Sequence, residues 1–130
     1  MNNELTLELY KEYYGVCRLT PSEIEGLPAW AFNSNFFSIT KTSDELSIVC
    51  LQDNIPEQIR CERDWRILKI EGTLDFSLIG ILSSLSTILA HKRISIFAIS
   101  TYDTDYILVK DNDIHNAVIA LKAEGYQIKQ

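Results

Sequence analysis

The sequence predicts an α+β chain of ferredoxin-like βαββαβ type, with antiparallel sheets and helices on one face. Three observations carry that expectation. Residues 65–130 alternate between period-two and helical patterning in the order β-α-β-β-α-β. The strongest helical stretch, Phe76–His91, repeats Leu78, Ile81, Leu82, Leu85, Ile88 and Leu89 at helical spacing. The N-terminal half has the same strand content with shorter, broken helices, and so reads as a degenerate copy. No Gly/Ser-rich or Pro-rich linker separates the halves, so they are expected to share a core or a sheet.

Leu5, Leu7 and Leu9 alternate with Thr6, Glu8 and Tyr10, the pattern of a half-buried strand. Val16–Thr20 reads as a second strand, after which Pro21-Ser22-Glu23 suits a short helix capped by Thr20. Pro28–Phe32 is at most a brief helical turn. Phe36–Thr40 and Leu46–Leu51 are strands joined through Thr42-Ser43-Asp44-Glu45. Pro56–Cys61 is a short helix candidate, and Trp65–Glu71 a strand closed by Gly72-Thr73. Ile94–Ile99 is apolar or small at nearly every position, which predicts a central or doubly covered strand. Tyr106–Val109 pairs with it. Asp111–Glu124 is the second amphipathic helix, capped by Asp111 or Asn112 and ended by Gly125, before a last strand at Tyr126–Lys129.

Composition removes several function classes. The chain has 130 residues, 46% hydrophobic and 23% charged, enough for one domain or two very small ones. A net charge of −6, with no Lys/Arg cluster among aromatics, argues against nucleic acid and against docking on anionic membranes. The opening MNNELTLELYKEYY is acidic and lacks an apolar run, so no signal peptide is read there. Cys17, Cys50 and Cys61 are odd in number and lack metal-ligand spacing, which points to reduced thiols and a cytoplasmic setting. His91 and His115 have no Cys or carboxylate at ligand spacing, so no metal and no cofactor are expected. No nucleophile elbow, Walker or dinucleotide fingerprint occurs, and an enzyme is not the expectation.

The clue to function is the corner between the strands at 94–99 and 106–109. A tight turn needs one or two polar residues, yet Ser100, Thr101, Asp103, Thr104 and Asp105 fall together here. Asp75, Asp103 and Asp105 can take an ammonium or a basic side chain through charge-assisted hydrogen bonds. The head of the helix after Gly72 offers free N–H groups to a carboxylate, and Gly72 removes bulk where a loop approaches a ligand. Both ends of an amino acid are thereby provided for. Each residue also has a structural reading. Asp75 can cap the helix from Phe76, Asp103 and Thr104 can simply make the turn, Gly80 can serve close helix packing, and Ser95 can be a small core-edge residue.

PAWAFNSNFFSITKTSDELSIVC (28–50), GTLDFSLIGIL (72–82) and ISIFAISTYDTDYILV (94–109) resemble the ACT-domain proteins related to the CASTOR arginine sensors. The resemblance implies tandem ACT-like domains, a degenerate one at 1–63 and an ACT domain at 64–130. CASTOR carries twice as many such domains, so a homodimer is implied. In that family an amino acid is held between ACT domains. The matching positions here are Asp75, Leu78, Gly80 and Ile81, then Ser95 and Ile96, then Thr101 and Asp105. The expected protein is a cytoplasmic sensor for allosteric regulation whose ligand is an amino acid or a similar small zwitterion. The alternative is a ligand-free module that pairs its sheet edges with an unidentified protein partner.

Overall fold

A computed structural model describes residues 5–22, 26–71 and 80–130. Among them run β1 (Thr6–Leu9), β2 (Tyr14–Leu19), β3 (Ser38–Lys41), β4 (Leu46–Leu51), β5 (Cys61–Ile70), α1 (Ile81–His91), β6 (Phe97–Ser100), β7 (Asp105–Lys110), α2 (Asp111–Ala123) and β8 (Gln127–Lys129). Contacts divide the chain into two compact units, Glu12–Trp65 and the pair of segments Met1–Lys11 with Arg66–Gln130. The first eleven residues therefore group with the C-terminal segment. The cause is strand pairing: β1 lies antiparallel to β5 (Leu7 opposite Ile70, Leu9 opposite Leu68) and parallel to β8 (Leu7 opposite Ile128). That parallel pair corrects the expectation of a purely antiparallel sheet.

In the larger unit the strand order is β6-β7-β5-β1-β8. With β1 set aside, this is the ferredoxin-like order, in which β5, β6, β7 and β8 are first to fourth in sequence. The two helices cover one face. Leu85 and Leu89 of α1 and Ile114, Ala117, Val118 and Leu121 of α2 pack with Leu7, Leu68, Ile70, Ile107 and Val109 from the sheet. These are the positions that the helical and period-two spacings nominate.

The helix ends differ from the expectation. Gly80 has φ 85°, a left-handed conformation, and stands before Ile81 as the N-cap of α1. It is not a helix-interior residue, and one uninterrupted helix over Phe76–His91 is overturned; residues 76–79 lie outside the described residues. A Cβ on Gly80 would meet nothing within 4 Å among the described residues, and the backbone angle calls for glycine. At its other end α1 closes in a Schellman motif. Arg93 N–H donates to Ala90 at 2.9 Å and Ile94 N–H to Leu89 at 3.0 Å, with Arg93 at φ 60°. Ile94 is thereby used as a helix cap, and β6 begins only at Phe97. β6 is an edge strand that pairs with β7, with Phe97 and Ile99 half-buried and Ala98 and Ser100 exposed, which corrects the expected central strand. Its run of apolar residues reflects the cap at one end and ordinary alternation at the other.

α2 follows β7 directly. Its N-cap is Lys110, with no side-chain cap, so the expected cap by Asp111 or Asn112 is not made. Asp111 instead accepts a hydrogen bond from Arg66 at 3.2 Å, while the Arg66 guanidinium also donates to the Tyr10 carbonyl at 2.9 Å. Gly125 ends α2 as expected, at φ 96°, with Tyr126 N–H donating to Leu121 at 3.1 Å.

The Glu12–Trp65 unit orders its strands β3-β4-β2-β5, paired antiparallel. This is the same permutation, now with β2 first and β5 fourth, so β5 supplies its start to this unit and its end to the other. The helices of the pattern shrink to 3-10 turns at Ala29–Ala31 and Gln52–Asn54. The helix expected at Pro56–Cys61 is absent: Ile59 N–H bonds back to Pro56 at 3.2 Å and Cys61 already opens β5. Five residues are too few to repay helix nucleation. Of the short helix expected at Pro21, the described residues Pro21 and Ser22 form a turn, and Glu23 lies outside them. β3 starts later than expected, at Ser38, because the Ser34 hydroxyl holds the Phe36 carbonyl and the Leu51 N–H.

Candidate functional site

The polar corner links β6 to β7 through Thr101–Thr104, with Ser100 opposite Asp105 at its base. Thr101 organises it. Its N–H and hydroxyl both donate to the Thr104 carbonyl, at 2.8 and 3.0 Å, and its hydroxyl oxygen accepts from Thr104 N–H at 3.3 Å. Tyr102 and Asp103 are left exposed at the tip, Tyr102 by 81%. Asp105 opens β7 half-buried.

Thr104 ties this corner to another strand. It is 4% exposed, and its hydroxyl donates to the Ile70 carbonyl at 2.8 Å, at the end of β5. Glu71, one residue on, donates its N–H to the Thr6 carbonyl at 2.8 Å. Its carboxylate accepts from Lys129 Nζ at 2.7 Å. That hydrogen bond is the main cause holding the Glu71 carboxyl below the usual range, and the same bond holds the Lys129 ammonium above its own. The stem from which Gly72 departs is therefore fixed on three sides.

The predicted site residues fall into four groups. Gly72, Asp75 and Leu78 lie outside the described residues. Thr101, Asp103 and Asp105 share the corner, and Thr104 latches that corner to the residue pair preceding Gly72. Gly80 and Ile81 open α1: the Gly80 carbonyl accepts from Ser84 N–H at 2.8 Å, and the side chain of Ile81 packs on the core. The first-turn N–H groups of Ile81, Leu82 and Ser83 have no intrahelical partners by helix geometry. Ser95 and Ile96 follow the opposite end of the helix. Eleven residues span about 16 Å at 1.5 Å each, so within one protomer they stand apart from Gly80 and Ile81. Ile96 packs on the core and Ser95 is exposed.

Sequence reasoning took Thr104 for a turn residue and passed over Glu71. The burial of Thr104 depends on β5, 34 residues away, which no local pattern reports. A cavity of about 610 Å³ also lies between α1 and α2, lined among others by Ile88, His91, Ile119, Ala120 and Glu124. None of the predicted residues among the described ones lines it. Among the described residues, no group of three or more His, Cys, Asp or Glu is placed to hold a metal, and no helix is long and apolar enough to cross a membrane.

A ferredoxin-like unit with a charged corner latched to its first strand defines a small α+β domain. An ACT-domain family model matches residues 60–123, and a model for an N-terminal domain matches residues 12–58. The crystal structure of protein Atu0741 from Agobacterium tumefaciens is 38% identical, covering 98% of this chain and 93% of that one, with a TM-score of 0.90. The chain belongs to the same family as that protein, and its C-terminal part is an ACT domain. Lower in identity, and so informative about fold alone, is VC0802 from Vibrio cholerae, a protein of unknown function and possible transport protein. It shows 18% identity and a TM-score of 0.74, over 92% of this chain and 89% of that one. The regulatory subunit of aspartate kinase from Thermus thermophilus, in ligand-free form, shares 11% identity over 90% of this chain and 95% of its own, with a TM-score of 0.62.

Proposed function

We propose that this chain is a non-catalytic regulatory sensor that holds an amino acid, or a similar small zwitterion, between ACT domains of a homodimer. The observation that carries the proposal is the Thr104 hydroxyl on the Ile70 carbonyl. It joins the acidic corner to the residue pair Ile70-Glu71, next in sequence to Gly72. The first-turn N–H groups of α1, without partners inside the helix, suit a ligand carboxylate. Asp105, Asp103 and Asp75 are carboxylates that suit the ammonium. Gly72, Leu78, Gly80 and Ile81 are the further ligand contacts of this reading, whereas Ser95 and Ile96 take part only if a second protomer brings that end of the helix to the site. In this reading the chain carries two ACT-like modules that work in the cytoplasm as a tandem, and the kinship with CASTOR-type sensors belongs to the same reading. Binding shifts the assembly only by its difference in affinity between states.

The test is a thermal-shift screen of the purified protein against the twenty amino acids, with light scattering for assembly. One amino acid is expected to raise Tm, by about 2.7 kcal/mol of stability at a hundredfold excess over Kd. Asp105→Asn is expected to abolish that shift while leaving the unliganded Tm within a few degrees. No shift from any amino acid moves the reading to the ligand-free interaction module. That second reading is favoured by one observation, the short edge strand β6 with its half-buried Phe97 and Ile99.

A further inference from the structure

Three thiols unused by the sensor reading lie on one face of the Glu12–Trp65 unit. Gly15 of β2 stands opposite Cys50 of β4, and Cys17 of β2 stands opposite Cys61 of β5. Residues two apart on a strand share a face, so all three sulfurs point to the same side of three neighbouring strands. Their spacings differ. Arg18 N–H donates to the Arg60 carbonyl at 3.0 Å, which makes Arg18 and Arg60 the hydrogen-bonded pair and Cys17 and Cys61 the adjacent non-hydrogen-bonded one. In such pairs the Cα atoms are about 4.5 Å apart, inside the roughly 4.4–6.8 Å window of a disulfide. Cys50 is diagonal to Cys17, at about 7–8 Å, and a further strand removed from Cys61. Gly15 keeps the space by Cys61 open: a Cβ there would stand 2.7 Å from Cys61 Sγ. Cys17 and Cys50 are 1% and 0% exposed, whereas Cys61 is partly open to solvent.

We propose that Cys61 is a peroxide-accessible thiol and Cys17 its resolving partner, so that the unit carries a reversible Cys17–Cys61 disulfide site. In the first step the Cys61 thiolate attacks hydrogen peroxide. An S–O bond forms and the O–O bond breaks, so the sulfur is oxidised to a sulfenic acid. Hydroxide leaves and takes up the thiol proton as water. In the second step Cys17 Sγ attacks Cys61 Sγ. The S–S bond forms, the S–O bond breaks, and the leaving hydroxide takes the Cys17 proton as a second water. The sum is two thiols and one peroxide to one disulfide and two waters. Burial, with the neighbouring Cys61, pushes the Cys17 thiol well above its ordinary range, and burial pushes Cys50 up to about 11. Once Cys61 is a neutral sulfenic acid its Coulombic share of that shift is gone while burial still holds the Cys17 thiol up, and adjacency supplies a high effective concentration.

The experiment treats the full chain with hydrogen peroxide and maps it by mass spectrometry without reduction. Expected are a loss of two hydrogens, a link between peptides 12–18 and 61–63, and titratable thiols falling from three to one. Dithiothreitol should restore all three. Cys50→Ser should still cross-link, Cys61→Ala should not, and Cys17→Ser should leave a dimedone-reactive Cys61. Circular dichroism checks that each variant is folded. A link through Cys50, over-oxidation of Cys61 in the unmutated chain without a cross-link, or three persisting thiols would each overturn the proposal.

Discussion

Thr104 does more for the geometry of the corner than either neighbouring carboxylate. Removing a hydroxyl at 4% exposure that bonds the end of another strand takes a buried hydrogen bond away from the Ile70 carbonyl. Thr104→Val should lower unfolding stability by about 1–3 kcal/mol in urea titrations, whereas Thr104→Ser, which keeps the hydroxyl, should lose less. Arg93 is the opposite case. It holds φ 60° in the Schellman turn, a conformation that costs an L-residue roughly 1–2 kcal/mol, and its side chain is exposed. Arg93→Gly should therefore raise Tm, and a lowered Tm would contradict that reading of the turn. Glu71 and Lys129 set a pH dependence. The folded Glu71 carboxyl sits below its ordinary value, so its contribution holds above the carboxylate range and is lost as pH falls through the folded value. Lys129 is shifted up, so its contribution holds below the ordinary lysine value and is lost as pH rises through the folded one. Stability from the pair should form a plateau between the two ranges. Lys129→Gln should remove both limbs when chemical denaturation is followed across pH, and added salt should shrink them.

At the scale of elements, what was legible in the chain was what repeats. Leu85, Leu89, Ile114, Ala117, Val118 and Leu121 announce two helices by spacing alone, and all six are buried. Strand β4 matches its expected Leu46–Leu51 residue for residue, because alternation and flanking polar residues agree there. The ends of elements were less legible. Gly80 reads as a tolerated helix glycine until its φ of 85° makes it the start. Ile94 reads as strand until its N–H is found closing α1. In both cases one hydrogen bond or one dihedral decides the boundary, and hydropathy carries neither. The candidate site was half legible for the same reason: the surplus of polar residues at 100–105 stands out in the sequence, but its attachment to β5 does not.

For the whole molecule, the strand that departs most from a simple repeat is β1. It enters the C-terminal unit between β5 and β8, paired with both. A chain lacking residues 1–11 should lose those pairings, along with the Thr6 acceptor for Glu71 and the Tyr10 acceptor for Arg66. Such a chain is expected to unfold at a clearly lower temperature by circular dichroism, with α1 and α2 melting together with the sheet. Survival of an unchanged Tm would mean that β8 closes directly on β5.

The residues by themselves determined the class of the fold, the faces of both helices, the paired strands and the unusual corner. All of these rest on local periodicity and side-chain chemistry, which any window of a dozen residues displays. Only the tertiary structure decided that the first strand belongs with the last, that Thr104 is a latch and not merely a turn residue, and that Cys17 faces Cys61. Each of these joins residues far apart in sequence, and closing such distances is settled by the whole set of packed contacts at once, not by any segment alone.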